Sequence, residues 1–236
     1  NVRSAITVRA GGLSEGPFNQ NNLAFHVGDM VADVQANRDA LKAMLNLSRS
    51  PVWLNQVHGT EVIYAPDAKD IPDADGSFSD QAGVPCVVMT ADCLPVLLCD
   101  QNGTQIAAVH AGWRGLANGI LRKTLSQFSS VKNILAYLGP AVGPQAFEVG
   151  VDVREAFLGN VQNSVHRGAI KKAFIDSNTK YLADIYALAR AELHSCGVSA
   201  VHGGEFCTVN DPERFFSYRR DQVTGRNASL IWLDGA

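Results

Sequence analysis

Three short apolar runs crowd the stretch from Val84 to Gly115: Cys86–Met89, Leu94–Cys99 and Ile106–Val109. Each has the length of a strand and not of a helix. Asp92-Cys93 separates the first two, His110 ends the third, and Gly112-Trp113-Arg114-Gly115 follows before a helical pattern begins. A chain built around these runs carries a thiol and an imidazole at strand ends, beside an arginine near a helix start. That is how a site looks in sequence. A second histidine, His58 in Q-V-H-G-T, follows another apolar run.

The flanking segments predict the rest of the fold. Ala5–Arg9 reads as a strand, stopped by Gly11-Gly12 and Gly16-Pro17. Asp33–Leu45 reads as a helix with Val34, Leu41, Met44 and Leu45 on one side. Pro51–Val57 and Glu61–Tyr64 are expected strands, with His58-Gly59 on a tight turn between them. Pro66–Asp80, rich in Asp and Pro, is expected to be an exposed loop. Leu116–Phe128 carries the apolar stripe of a helix. Ile134–Leu138 follows as a strand, Val142–Gly150 as a loop with strand fragments, and Asp152–Leu158 as a short helix with Asp152 at its N-cap. Lys180–His194 reads as one helix closed by Gly197 at C′. Val198–Val201, Phe215–Tyr218 and Ser229–Trp232 are the late strands. Strands outnumber helices and the connections vary, which predicts an α+β domain with mixed sheets. No repeat or linker divides residues 1–236, so one domain is expected.

The bulk numbers bound the function. With 46% hydrophobic and 18% charged residues this is an ordinary globular composition. A net charge of -3 gives no general attraction to nucleic acid. No apolar run approaches a membrane span. Five cysteines, an odd number without a C-x-x-C, suit a reducing compartment, and a cytoplasmic location is expected. Neither G-x-G-x-x-G nor G-x-x-x-x-G-K-[ST] occurs, which leaves dinucleotide and P-loop chemistry without support.

His58, Cys93 and His110 make a plausible catalytic metal triad, because such zinc sites pair three protein ligands with one open position. The same residues support a second reading, Cys93 as nucleophile with His110 as base. Arg114, beside a helix start, suits an anion such as phosphate. Arg9, at a strand end before two glycines, is placed to reach the same cleft. Arg219-Arg220 with Arg226 read as a structural or solvated basic face.

The motifs L-N-Q-V-H-G-T-E-V, V-M-T-A-D-C-L-P-V-L-L, A-V-H-A-G-W-R-G-L-A, L-G-P-A-V-G-P-Q-A-F-E-V-G and F-F-S-Y-R-R-D-x-x-T-G-R occur in that order. Together they resemble the laccase-domain family, also called polyphenol oxidoreductases and purine nucleoside phosphorylases. The resemblance runs from R-A-G-G-L-S-E-G-P-F at Arg9 to Leu233. It implies a single α/β-layered domain with a central β-sandwich of mixed sheets and helices outside. It implies zinc on His58, Cys93 and His110, a phosphate ligand at Arg9, and phosphorolysis of purine nucleosides to base and ribose 1-phosphate. Methylthioadenosine phosphorolysis and adenosine deamination are implied with it. The partners so implied are a nucleoside and phosphate, with no nucleic acid or membrane, and a monomer is compatible with them. The family's loop after G-P is replaced here by Gln20-Asn21-Asn22-Leu23-Ala24-Phe25-His26, which retains Asn22 and His26.

The laccase name itself implies copper oxidation of phenols. Six histidines without a His-x-His pair are few for a multicopper cluster, though a single copper can occupy the zinc ligands. The H-x-E…P-C-x-x-C pattern of zinc nucleobase deaminases is absent. Glu148 and Asp92 are the nearest acid–base candidates for a deamination.

Overall fold

The computed structural model describes residues 1–159 and 161–234. The first half of the chain gives β1 (Val2–Ile6), α1 (Val31–Met44), β2 (Val62–Tyr64), β3 (Gly76–Ser79), β4 (Cys86–Thr90), β5 (Leu94–Asp100) and β6 (Ile106–Ala111). Two short helices follow, α2 (Trp113–Ala117) and α3 (Ile120–Leu125), then β7 (Ile134–Leu138), β8 (Glu148–Val149), α4 (Val151–Gly159) and α5 (Ser164–Lys172). The remainder is β9 (Phe174–Ser177), β10 (Lys180–Ala183), α6 (Ile185–Ser195), β11 (Ala200–Gly203), α7 (Tyr218–Asp221) and β12 (Asn227–Leu233). None of these helices is long and apolar enough to cross a membrane.

The strands form a six-stranded sheet ordered β11-β7-β5-β6-β3-β2, a three-stranded sheet β1-β12-β4, and a small sheet β8-β10-β9. The large sheet is mixed: β11 with β7 and β2 with β3 run parallel, and the other pairs antiparallel. Strand side chains alternate between faces, and here the alternation sorts the core into layers. On β5 and β6, Leu94, Val96, Leu98, Ala107 and Val109 face the helices, while Leu97, Ile106 and Ala108 face the second sheet. On β4 and β12, Cys86, Val88, Ile231 and Leu233 meet that inner layer, whereas Val87, Met89, Leu230 and Trp232 turn outward under α1. The order is helices, six-stranded sheet, the β1-β12-β4 sheet, helix: an α+β sandwich with helices outside, as the resemblance implied. Burial of each large apolar side chain in these layers contributes roughly 1.5–3 kcal/mol relative to exposure.

Several expected elements move. The first strand is Val2–Ile6 and not Ala5–Arg9, because the pairing with β12 ends at Ile6 opposite Ser229. In α1 Val34 and Leu41 are buried as expected, but Met44 is 73% exposed at the helix end. The expected exposed loop Pro66–Asp80 contains β3, an interior strand of the large sheet. Gly76, Ser77 and Ser79 have low strand propensity, yet pairing with β6 on one side and β2 on the other fixes them there. Pro51–Val57 is not a strand and makes only isolated bridges, Val52 with Cys86 and Asn55 with Asp73.

The helix expected over Leu116–Phe128 starts earlier, at Trp113, and breaks at Gly119, whose φ of 87° ends α2 and caps α3. Arg114 therefore lies inside a first helical turn. Asp152 likewise sits within the first turn of α4. Lys180–Ala183 is strand β10, and the helix begins only after Asp184, whose carboxylate accepts the Ala187 amide at 2.9 Å. Gly197 does follow it with a φ of 90°. Phe215 and Phe216 are buried in a loop and not in a strand.

Candidate active site

His58 stands at a φ of 59°, a backbone region that few non-glycine residues adopt. A buried carboxylate holds it there. Asp75, completely buried at the start of β3, accepts the amides of His58 on Oδ1 at 2.9 Å and of Val57 and Gly59 on Oδ2 at 3.2 and 2.6 Å. The same Oδ1 accepts the Nδ1–H of His110 at 2.7 Å. His110 lies in β6 opposite Pro95 and is 3% exposed. With Nδ1 held by the carboxylate, Nε2 is the nitrogen left free to bind a metal once the ring gives up its second proton, the arrangement by which a carboxylate orients a metal-binding imidazole. One anion thus sets the turn that carries the first histidine and the ring of the second.

Cys93 follows the turn between β4 and β5, where Asp92 adopts a φ of 95°. The Asp92 side chain anchors that turn: Oδ1 accepts the Thr208 hydroxyl and Oδ2 the Arg219 amide, each at 2.6 Å, while its carbonyl accepts the Val142 amide at 2.9 Å. The Cys93 sulfur lies 3.8 Å from His58 Nε2. The two imidazoles meet edge to face at 4.8 Å. One nitrogen from each ring and the sulfur all fall within 4.8 Å of one another.

The electrostatics suit a thiolate. Burial raises the Cys93 thiol, but the adjoining His110 and His58 rings outweigh it and bring it down to about 6. Burial lowers His110, yet Cys93 and Asp75 carry it up to about 9. A thiolate is the form that binds a metal or attacks an electrophile. Gly112 completes the cradle. A Cβ there would lie 3.0 Å from His58 Cδ2, 3.3 Å from Cys93 Sγ and 3.3 Å from His110 Cε1. A side chain at this position would press on all three candidate ligands. Gly115 is needed for a different contact, since a Cβ would come within 2.6 Å of the Gly59 carbonyl beside His58. Two nitrogens and one sulfur around a space kept clear by glycine fit a borderline-soft divalent ion, and the cluster could hold a metal.

Two cavities meet at the triad, and both are bordered by His58, Ala91, Cys93 and Tyr218. One, of about 280 Å³, adds His26, Gln56, Thr90 and Arg226. The other, of about 430 Å³, adds Trp113, Arg114, Phe147 and Arg219. Arg114 stacks on Trp113 at 4.4 Å, and Arg219 lies over Phe147 at 5.4 Å. The expected basic face therefore divides. Arg219 and Arg226 border the cavities, whereas Arg220 is spent on the Thr208, Val209 and Phe215 carbonyls and on Asp221. Arg9 borders neither cavity. Its guanidinium donates to the Asn19 and Pro212 carbonyls and lies 5.0 Å from the Phe216 ring. Of the acid–base candidates, Asp92 borders the larger cavity with its carboxylate engaged, and Glu148 is paired with Lys180 at 2.6 Å.

Sequence reasoning missed Asp75, because a polar Asp-Gly step inside a Pro- and Asp-rich segment reads as loop. The small residues after it, Gly76-Ser77, were the available signal for a strand squeezed between neighbours. It also missed Tyr218, whose ring borders both cavities from the start of α7.

Comparison with known proteins places the chain in a family and matches its fold. The family described as multi-copper polyphenol oxidoreductase laccase matches residues 3–234. A Shigella flexneri protein named purine nucleoside phosphorylase YfiH is 51% identical, over 98% of this chain and 94% of its own length. A Pseudomonas aeruginosa protein also named purine nucleoside phosphorylase is 49% identical, over 98% of this chain and 93% of its own. The crystal structure of a Neisseria meningitidis protein superimposes with a TM-score of 0.94 at 49% identity, covering 100% of this chain and 95% of that one.

Proposed function

Because the chain belongs to the multi-copper polyphenol oxidoreductase laccase family, we propose that it is a zinc-dependent purine nucleoside phosphorylase. Its substrates are adenosine, inosine or methylthioadenosine together with phosphate. The reading is carried by one observation: the His58–Cys93–His110 cluster opens onto two cavities walled by cations and aromatic rings. Relatives bearing the phosphorylase name support it.

In this reading His58, Cys93 and His110 hold the ion, which supplies a Lewis acid when bound. The protein's own groups do the rest. Trp113, Phe147 and Tyr218 offer flat apolar faces for a purine. Arg114, Arg219 and Arg226 offset the charge of phosphate near the ribose. A phosphate oxygen bonds to C1′ as the glycosidic C–N bond breaks, and the purine leaves with the electron pair and takes up a proton. The phosphate role inferred for Arg9 rests on its charge. Its present bonds make it a holder of the Asn19 and Pro212 segments. The donor set also accepts copper, which binds nitrogen and sulfur more strongly than zinc does. Among the described residues this triad is the one grouping of three such ligands, so a copper cluster of the multicopper kind has no second set of donors. Adenosine deamination belongs to the same proposal: water would add at the purine C6 and ammonia would leave, with His58, Cys93 and His110 holding the ion that would make that water more acidic.

The test is phosphate-dependent release of base from a nucleoside panel, with metal analysis of the same preparation. Arg114→Ala is expected to raise the phosphate KM about 10–100-fold, the size of a lost charge-assisted hydrogen bond, and the nucleoside KM much less. Equal changes in both would instead give Arg114 a structural role.

One arrangement favours a second reading. Asp75, His110 and Cys93 stand in the order orienting acid, base, nucleophile, as in a cysteine hydrolase. A metal-bound thiolate cannot also attack a carbonyl, so the two readings exclude each other. Cys93 should resist iodoacetamide in zinc-loaded protein and label rapidly after chelation, and alkylation of the stripped protein should block recovery by added zinc. Rapid labelling of the zinc-loaded protein, with activity lost in step and no metal released, would establish the hydrolase. Labelling is mapped by peptide mass, because Cys86, Cys99, Cys196 and Cys207 also carry free thiols.

A further inference from the structure

A cavity of about 570 Å³, larger than either at the triad, opens in the helical layer among α3, α5 and α6. Arg122, Gln162, Asn163, His166, His194 and Ser195 border it. A smaller cavity of about 210 Å³ shares Arg122 and His166 with it and extends to Glu192 and the Asn118-Gly119 turn. The His166 side chain is 6% exposed, and its Nε2 has no hydrogen-bond partner among the described residues. Glu192 Oε2 lies 3.4 Å away but outside hydrogen-bond geometry, and Glu192 Oε1 accepts from Arg122 at 2.9 Å. A buried ring nitrogen left without a partner is costly, and a ligand atom is one way to satisfy it.

The surroundings specify the ligand's charge. The border of the larger cavity carries a guanidinium, two imidazoles, two amides and a hydroxyl, and the one carboxylate beside these donors, Glu192, lies on the smaller cavity. It also meets the N-terminus of α5, where Asn163 Oδ1 accepts the Val165 and His166 amides at 3.0 Å each. Those amides are taken, so the helix contributes its positive field and not free donors. The volume falls within the range of roughly 300–1,000 Å³ usual for small-molecule sites. We propose that this cavity is a second ligand site, taking the phosphate group of a small phosphorylated metabolite between a sugar phosphate and a nucleotide in size, with His166 Nε2 and Arg122 as donors.

The probes are inorganic phosphate and ribose 5-phosphate, titrated into zinc-loaded protein by calorimetry and by NMR of ¹³C-labelled histidine. Ribose 5-phosphate should shift the His166 ring resonances saturably in the unmodified protein, which needs no variant to fold. Arg122→Gln, at a side chain 65% exposed, and His166→Gln should each weaken that binding event at least about tenfold, while Arg114→Ala should leave it intact. Binding abolished by Arg114→Ala, unchanged by Arg122→Gln and silent at His166 would overturn the proposal. Binding lost in Arg122→Gln and in His166→Gln but kept in Arg114→Ala would support this site whatever Arg114→Ala does to the phosphate KM of phosphorolysis, so the two readings fail separately.

Discussion

Replacing Asp75 with Ala is expected to destabilise the protein by about 3–5 kcal/mol, the cost of removing one partner from a buried charged network. Three main-chain amides and the His110 ring donate to this single carboxylate, which is itself completely buried. Asp75→Asn is the milder variant. It keeps the size but turns an amide NH₂ toward donors, and zinc affinity should fall about 10–100-fold as the orienting group is lost. Urea unfolding and competition with a chromophoric chelator measure the two effects. Wild-type unfolding midpoint and zinc affinity in both variants would refute the role. The pH dependence has a defined sign. Burial alone would raise the Asp75 carboxyl, but its bonds to His110 and to the Gly59 and His58 amides outweigh this and hold it below the usual range. Its contribution is therefore present above the ordinary carboxylate pKa and lost as pH falls through the depressed one. Asp75→Asn should flatten the acid limb of the stability profile.

Cys93→Ala and His110→Ala are each expected to lose bound zinc and to lower phosphorolysis by more than about 100-fold, since removing a ligand costs at least as much as removing the group behind it. His110→Ala should also destabilise, as it leaves Asp75 short of a donor in a buried setting. Cys93→Ala, in a partly buried turn, should keep the wild-type melting temperature within a few degrees. Full zinc occupancy in both variants, read by elemental analysis, would dismiss the triad as a metal centre.

The parts of this architecture that were legible are those in which apolar runs decide the structure. Cys86–Met89, Leu94–Cys99 and Ile106–Val109 became the neighbouring strands of the sandwich because buried strands announce themselves by composition. His58, Cys93 and His110 stood out because each interrupts or ends such a run. What composition could not give was anything fixed by partners distant in sequence. The β3 strand is small and polar, and only its flanking strands hold it in place. Lys180–Ala183 has helical spacing and is a strand because Phe174–Ser177 pairs with it. Asp75 stayed hidden because its value lies in four donors, three of them main-chain amides, which leave no mark on the identities of the residues that supply them.

The place of β12 in the inner sheet has a consequence for the order of assembly. It is the central strand there, and β1 and β4 each take it as their one strand partner. Its register with β4 ends with Asn227 opposite Thr90, directly before the Ala91-Asp92-Cys93 turn. All three candidate ligands leave the ribosome long before that strand does, at synthesis rates of about 5–20 residues per second. Pairing across such a sequence separation is slow to form. The nascent chain thus carries its thiol and imidazoles for seconds before the turn that gathers them is anchored. Any metal that the three residues hold would be captured late, after the C-terminal third of the chain, with Thr208 and Arg219 on the Asp92 turn and β12 beside β4, has emerged.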